Sequence, residues 1–91
     1  MQYKDDKSLH LRKVLGQIIK NIREKEVGIS CTKLADEYGI NDSNLNKIER
    51  AKIDCKFITL WRIAEALGIK PSQLVHILEK ELGDKFKLID E

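Results

Sequence analysis

Apolar residues recur along most of the chain in short stripes at helical spacing. Across "LHLRKVLGQIIKNIREKE" they stand at Leu11, Val14, Leu15, Ile18, Ile19 and Ile22, a series that puts all six on one face of an amphipathic helix. Ser8 is its N-cap candidate and Gly28 its stop. "SCTKLADEYG" opens with Ser30 as N-cap, offers Leu34, Ala35 and Tyr38 to a core, and ends at Gly39. "INDSNLNKIERA" begins again with Asn41 as cap and with Asp42 and Ser43 in its first turn. "FITLWRIAEALG" predicts a fourth helix with Ile58, Trp61, Ala64 and Leu67 on its apolar face, Leu60 and Ile63 on the shoulder, and Gly68 at its end. "PSQLVHILEKELG" predicts a fifth, with Pro71 at the first position, where a missing N–H costs nothing. Its stripe is Leu74, Val75, Leu78 and Leu82, with Ile77 beside it and Gly83 as the stop.

The pattern is all-α, a compact bundle of five helices. The second and third are short, and helices of that length are marginal alone in water, so the longer helices must hold them. Two short helices separated by a three-residue joint containing glycine are the mark of a helix-turn-helix unit. Residues 1–7 read as a polar N-terminal tail and 8–83 as the domain. Residues 84–91 read as a C-terminal tail, either unstructured or adding a contact between subunits.

The third helix poses the functional question. In "SNLNKIERAK" only Leu45 and Ile48 are large and apolar. On a wheel of about 100° per residue they cluster with Glu49, while Ser43, Lys47 and Arg50 point away, with Asn44 and Asn46 on the flanks. Polar outer faces are common on helices, and this one can be simply solvated. Its side chains also match the edges of base pairs in a DNA major groove: lysine to guanine O6 and N7, asparagine to adenine N6 and N7, serine to several edges. Lys52 and Lys56, just beyond, suit phosphates.

Composition narrows the field. Ninety-one residues make one domain, and aromatic residues are only 5%, so the core is built from Leu, Ile, Val and Ala, as suits helices. The net charge of +2 is too small to identify a nucleic-acid binder, and the placement of charge says more. From 47 to 62, Lys47, Arg50, Lys52, Lys56 and Arg62 face only Glu49 and Asp54, whereas acids outnumber lysines from residue 79 onward. Cys31 and Cys55 make neither a disulfide framework nor a metal site, and read as half-buried reduced thiols. No stretch has the length and apolarity of a membrane span or a signal peptide, which makes the cytoplasm the expected location. His10 and His76 are far apart, and no nucleophile–base pair, metal cluster or phosphate-cradling loop is visible, so neither an enzyme, a cofactor, a metal nor a small-molecule ligand is expected.

The stretch "GISCTKLADEYGINDSNLNKIERAKIDCKFITLWRIAEALGIKPSQL" resembles the Cro and lambda-repressor-like helix-turn-helix family, the XRE family. Ser30, Leu34, Ala35, Gly39, Ile40, Leu45, Ile48 and Glu49 fall on the first parts of its pattern, and Leu60, Ile63, Ala64, Ala66, Leu67 and Gly68 on the last. The resemblance spans about residues 11–78. It implies a lambda-repressor-like fold and double-stranded DNA as the partner, with the recognition helix at about 42–50 lying in the major groove. The base-reading positions it implies are Asp42, Ser43, Asn44 and Lys47. Asp42 has two readings, a carboxylate favoured at the positive end of the helix or an acceptor for cytosine N4. Ser30, Thr32, Asn46, Arg50, Lys52 and Lys56 are the implied phosphate contacts, surface solubility being the other reading of Arg50 and Lys52.

The departures from the pattern are informative. Cys31 stands where the family has a glutamine that contacts phosphate and the recognition helix, leaving Thr32 or Ser30 as substitutes. Ala51 replaces the glycine after the third helix, so the chain is expected to turn there without a left-handed residue. Lys70 stands where a capping Ser or Asp is usual. The "EVGIS" connection is one residue longer, and with that insertion allowed Arg23 falls where the family pairs an arginine with the third-helix glutamate, here Glu49.

The expected function is a sequence-specific transcriptional regulator, a repressor binding a palindromic operator as a homodimer. One short helix reads too few bases alone, and two subunits would read half-sites about 34 Å apart. Leu74, Ile77, Leu78, Leu82 and Phe86 are the candidates for the dimer interface, or else they close the monomer core. The alternative is a protein-interaction module, antitoxin-like or an adaptor, that keeps the fold without specific DNA binding; Cys31, Asp42 and the low net charge favour it.

Overall fold

The computed structural model describes residues 6–89. Among them the chain forms five α-helices, α1 (Asp6–Ile22), α2 (Cys31–Tyr38), α3 (Asp42–Glu49), α4 (Phe57–Ala66) and α5 (Pro71–Leu82), and no strand. α1 packs against α3 and α5, α2 against α3 and α4, and α4 against α5. The helix therefore starts ahead of Ser8, which lies inside its first turn and is not the cap; Asp6 supplies the acid that suits a helix N-terminus. Residues 1–5 of the N-terminal tail and 90–91 of the C-terminal tail lie outside the described residues.

α1 runs on into a π-turn, Arg23–Val27, closed by the Gly28 N–H donating to the Arg23 carbonyl at 2.7 Å. A π-turn takes up one residue more than an α-turn, and this is where the longer connection is absorbed. Capping fixes the two short helices as their sequences require. Ser30 Oγ accepts from the Lys33 N–H at 3.1 Å, and Asn41 Oδ1 accepts from the Asn44 N–H at 2.9 Å. At α5 the usual cap is indeed missing, yet the Lys70 N–H donates to Gln73 Oε1 at 2.7 Å, so half of a capping box survives.

The core takes Leu15, Ile18 and Ile19 from α1, Leu34 and Ala35 from α2, Leu45 and Ile48 from α3, Ile63, Ala64, Ala66 and Leu67 from α4, and Leu74 from α5. Each Leu or Ile so buried contributes about 1.5–3 kcal/mol. Four apolar assignments change. The buried face of α4 is the Ile63, Ala64, Leu67 stripe with Leu60 at its edge, while Ile58 and Trp61 are exposed. Two apolar stripes overlap on this helix, and its packing on α5 selects the one without the tryptophan. Tyr38 and Val75 are also exposed. Leu74 is completely buried, so it closes the monomer core and has no surface to offer a second subunit. Phe86 is half-buried, its ring 6.0 Å from that of His10, which ties the tail to α1 of its own chain.

Gly16, in the middle of α1, explains how α3 is seated. A Cβ at this position would lie 2.5 Å from the Glu49 carbonyl oxygen and 2.6 Å from that of Ile48. The backbone of α1 thus rests directly on the last turn of α3. A mid-helix glycine costs roughly 0.5–1 kcal/mol relative to alanine, and here close contact is what that cost secures.

Candidate nucleic-acid interface

α3 buries Leu45 and Ile48 against the bundle, turns the Glu49 side chain inward with them, and leaves the rest of its surface open. Asp42, Ser43, Asn44, Asn46, Lys47 and Arg50 are all exposed. The described part of the tail does not cover them, since Phe86 is engaged at His10 on α1. Ser30 and Thr32 are exposed at the start of α2, and Lys52 and Lys56 are exposed in the connection to α4. Ser43 and Lys47 lie one turn apart on the open face of α3, with Arg50 and Lys52 at its C-terminal end.

The amides and hydroxyls at the front of the unit are partly committed. Thr32 Oγ1 donates to the Asp42 carboxylate, 3.2 Å from one oxygen and 3.3 Å from the other, and so links the first turns of α2 and α3. Thr32 therefore makes the contact between the two helices that the resemblance assigns to the missing glutamine. The Asp42 carboxylate is fastened as well as favoured by the helix dipole. Cys31, at the glutamine's position, is half-buried and free; burial foremost, then the Glu49 charge, pushes its thiol pKa up, against the opposing pull of Arg23. Cys55 is also free and half-buried, and burial, with Asp54 nearby, raises its thiol to about 11. Both thiols are protonated at neutral pH, which makes them packing groups rather than nucleophiles.

Behind α3 lies one charged pair. Arg23 is 6% exposed, and its Nε and Nη2 donate to the two carboxylate oxygens of Glu49, each at 2.8 Å. Nη1 donates to the Ile29 carbonyl at 3.0 Å, so all three guanidinium nitrogens are engaged, and Glu24 stands 3.8 Å from Nη2. The Glu49 hydrogen bonds raise the Arg23 pKa above its ordinary value in spite of desolvation. The π-turn, the "GIS" connection and the end of α3 are joined through this one side chain. Bidentate charged bonds of this kind fix orientation as well as distance.

The end of α3 departs from the sequence reading. Ala51 adopts φ 61°, the left-handed conformation that the chain was expected to avoid. The Ala51 N–H donates to the Ile48 carbonyl at 3.1 Å and the Lys52 N–H to that of Lys47 at 2.8 Å, the paired bonds of a Schellman motif. α4 ends in the same motif, but with Gly68 at the left-handed position. Packing dictates the turn, and alanine bears the steric penalty of roughly 1–2 kcal/mol. Ala51→Gly is accordingly expected to stabilise the protein by about 1 kcal/mol, raising the melting temperature by roughly 4–8 °C. A lowered melting temperature would show that the Ala51 methyl packs too well to be given up.

Two features of this region escape sequence reading. The seat provided by Gly16 has a signal, an isolated glycine within a helical pattern. The exposure of Phe57, Ile58 and Trp61 has none, because their spacing is that of a core stripe.

A short capped helix with a polar open face, set by a companion helix and braced from behind, is the architecture of a helix-turn-helix reader. The chain belongs to the XRE-type helix-turn-helix family of DNA-binding transcription regulators, whose pattern matches residues 19–74, more than half of the chain. It is similar to control protein C.BamHI of Bacillus amyloliquefaciens, with 29% identity over 66 residues that cover 72% of this chain and 82% of that protein. Among the described residues no helix is long and apolar enough to cross a membrane, and no group of three His, Cys, Asp or Glu side chains is placed to hold a metal ion.

Proposed function

We propose that this regulator is a homodimeric, sequence-specific repressor that inserts α3 of each subunit into successive major grooves of a palindromic operator. The observation that carries the reading is the open face of α3, polar from Asp42 to Arg50, uncovered by the described tail and held rigidly from behind. Ser43, Asn44 and Lys47 are the base-reading side chains, with Asp42 oriented by Thr32 at the leading edge. Arg50, Lys52 and Lys56 neutralise phosphates, and Ser30 and Asn46 add neutral hydrogen bonds that fix register, while the Thr32 hydroxyl, whose one proton goes to Asp42, orients that carboxylate instead of donating to a phosphate. A control protein as relative supports a role in regulating transcription.

Titration against generic duplex DNA across a salt series tests this directly. With three phosphate-facing cations in each of two subunits, log K is expected to fall against log salt with a slope of about −5. Weak off-site binding near 50 mM salt that vanishes by about 200 mM is the expected result. Absence of any binding at the lower salt would overturn the reading in favour of a protein-interaction module.

A further inference from the structure

We propose that the second subunit docks on the outer face of α4, through Phe57, Ile58 and Trp61, in an antiparallel α4–α4 contact about a two-fold axis near Trp61. The proposal rests on the homodimeric reading above and gives it a surface. The α5 and tail candidates are largely used within the chain: Leu74 is 0% exposed, Ile77, Leu78 and Leu82 are half-buried, and Phe86 lies on His10. On α4 the position is reversed. Phe57 and Ile58 are each 68% exposed and Trp61 47%, three large apolar side chains on one side of a ten-residue helix.

Three observations favour a second copy as the occupant. The aromatic pair is already ordered, the Phe57 and Trp61 rings meeting edge to face at 5.9 Å and the indole N–H donating to Glu65 Oε2 at 3.2 Å. Aromatics held in place lose little conformational entropy on association. Next, α4 lacks a side-chain cap at its N-terminus, where Lys56 precedes it. Glu65 stands two turns further along, exposed on the same side. In an antiparallel pair centred near Trp61, Glu65 of each subunit comes opposite residue 57 of the other, where it meets the uncapped, positive end of the helix and Lys56. Such a surface is complementary to itself, as a two-fold contact requires. Last, the three side chains leave on the order of 350 Å² of apolar area per copy, enough for the centre of a small interface but short of the ~800 Å² per partner of a standard one. The free dimer is therefore weak and is completed on the operator.

Sedimentation velocity without DNA, over about 1–300 µM protein, tests the assignment. The wild-type mass is expected to rise from monomer toward dimer across this range. Phe57→Glu, at a position 68% exposed, is expected to keep the wild-type melting curve and weaken the dimer by at least on the order of a hundredfold, and Trp61→Glu to weaken it as much. Glu65→Lys should weaken it too, and the exchange Lys56→Glu with Glu65→Lys should recover part of that loss, since the swapped charges attract but a lysine cannot accept from the indole or favour the positive helix end. A wild type that stays monomeric throughout, or a dimer undiminished in Phe57→Glu, would overturn the proposal. Because no DNA is present, failure of operator binding leaves this measurement intact. Conversely, loss of the dimer leaves half-site binding by the monomer measurable.

Discussion

Glu49→Ala is expected to lower the melting temperature by roughly 15–30 °C, which would remove a large part of the margin that keeps the domain folded. The size of the effect follows from what remains, not from what the ion pair adds. Arg23 is 6% exposed, and without the carboxylate its Nε and Nη2 face the core with no acceptor. Removing one partner of a buried pair costs about 3–5 kcal/mol, a large share of the ~5–15 kcal/mol that holds a domain folded. Removing both charges should cost much less. The double variant Arg23→Met, Glu49→Leu is expected to recover a good part of the lost melting temperature, as apolar replacements of buried pairs often do. Melting curves followed by circular dichroism across the four proteins of this cycle check both statements. An unchanged curve for Glu49→Ala would remove the pair from the account of how α3 is held.

Gly16→Ala tests the same support from the other side. In an ordinary helix interior this change stabilises by roughly 0.5–1 kcal/mol. Here the new methyl group meets two backbone carbonyl oxygens at 2.5 and 2.6 Å, and neither can rotate away as a side chain would. The last turn of α3 must retreat from α1, taking Glu49 away from Arg23. Overpacking of this kind costs about 1–3 kcal/mol, and the broken ion-pair geometry adds to it. The expected result is a melting temperature lower by roughly 8–20 °C, with DNA affinity reduced even at temperatures where the variant is fully folded. A gain in stability from Gly16→Ala would show that α1 and α3 are not in backbone contact.

The elements were largely legible from the sequence because their ends carry local chemistry. Ser30 and Asn41 cap through their own side chains, and Gly39 and Gly68 supply left-handed turns, none of which needs tertiary context. The misread positions are those that packing decides. On α4 Ala64 and Leu67 are inside as their spacing predicts, but the overlapping apolar stripes gave no indication that Ile63 would join them at the centre and that Ile58 and Trp61 would be outside. Ala51 is left-handed because the Schellman bonds and the following chain direction require it, against alanine's own preference. Ser8 lost its capping role because the helix extends to Asp6. The polar face of α3 was legible in full, since Leu45 and Ile48 are its only large apolar side chains and fix its orientation. The Thr32–Asp42 link was only half visible, as a substitute for a missing glutamine with no partner named.

What most directly tests base reading by α3 is selection from a pool of random duplexes, run in parallel with the wild type and with a Ser43→Ala, Asn44→Ala, Lys47→Ala variant. All three side chains are exposed, so the variant keeps the bundle intact. The wild type is expected to enrich a two-fold symmetric sequence with half-sites about one helical turn apart, and the variant to lose that preference while retaining weak, salt-sensitive binding. Enrichment of the same sequence by both proteins would contradict the claim that α3 reads it.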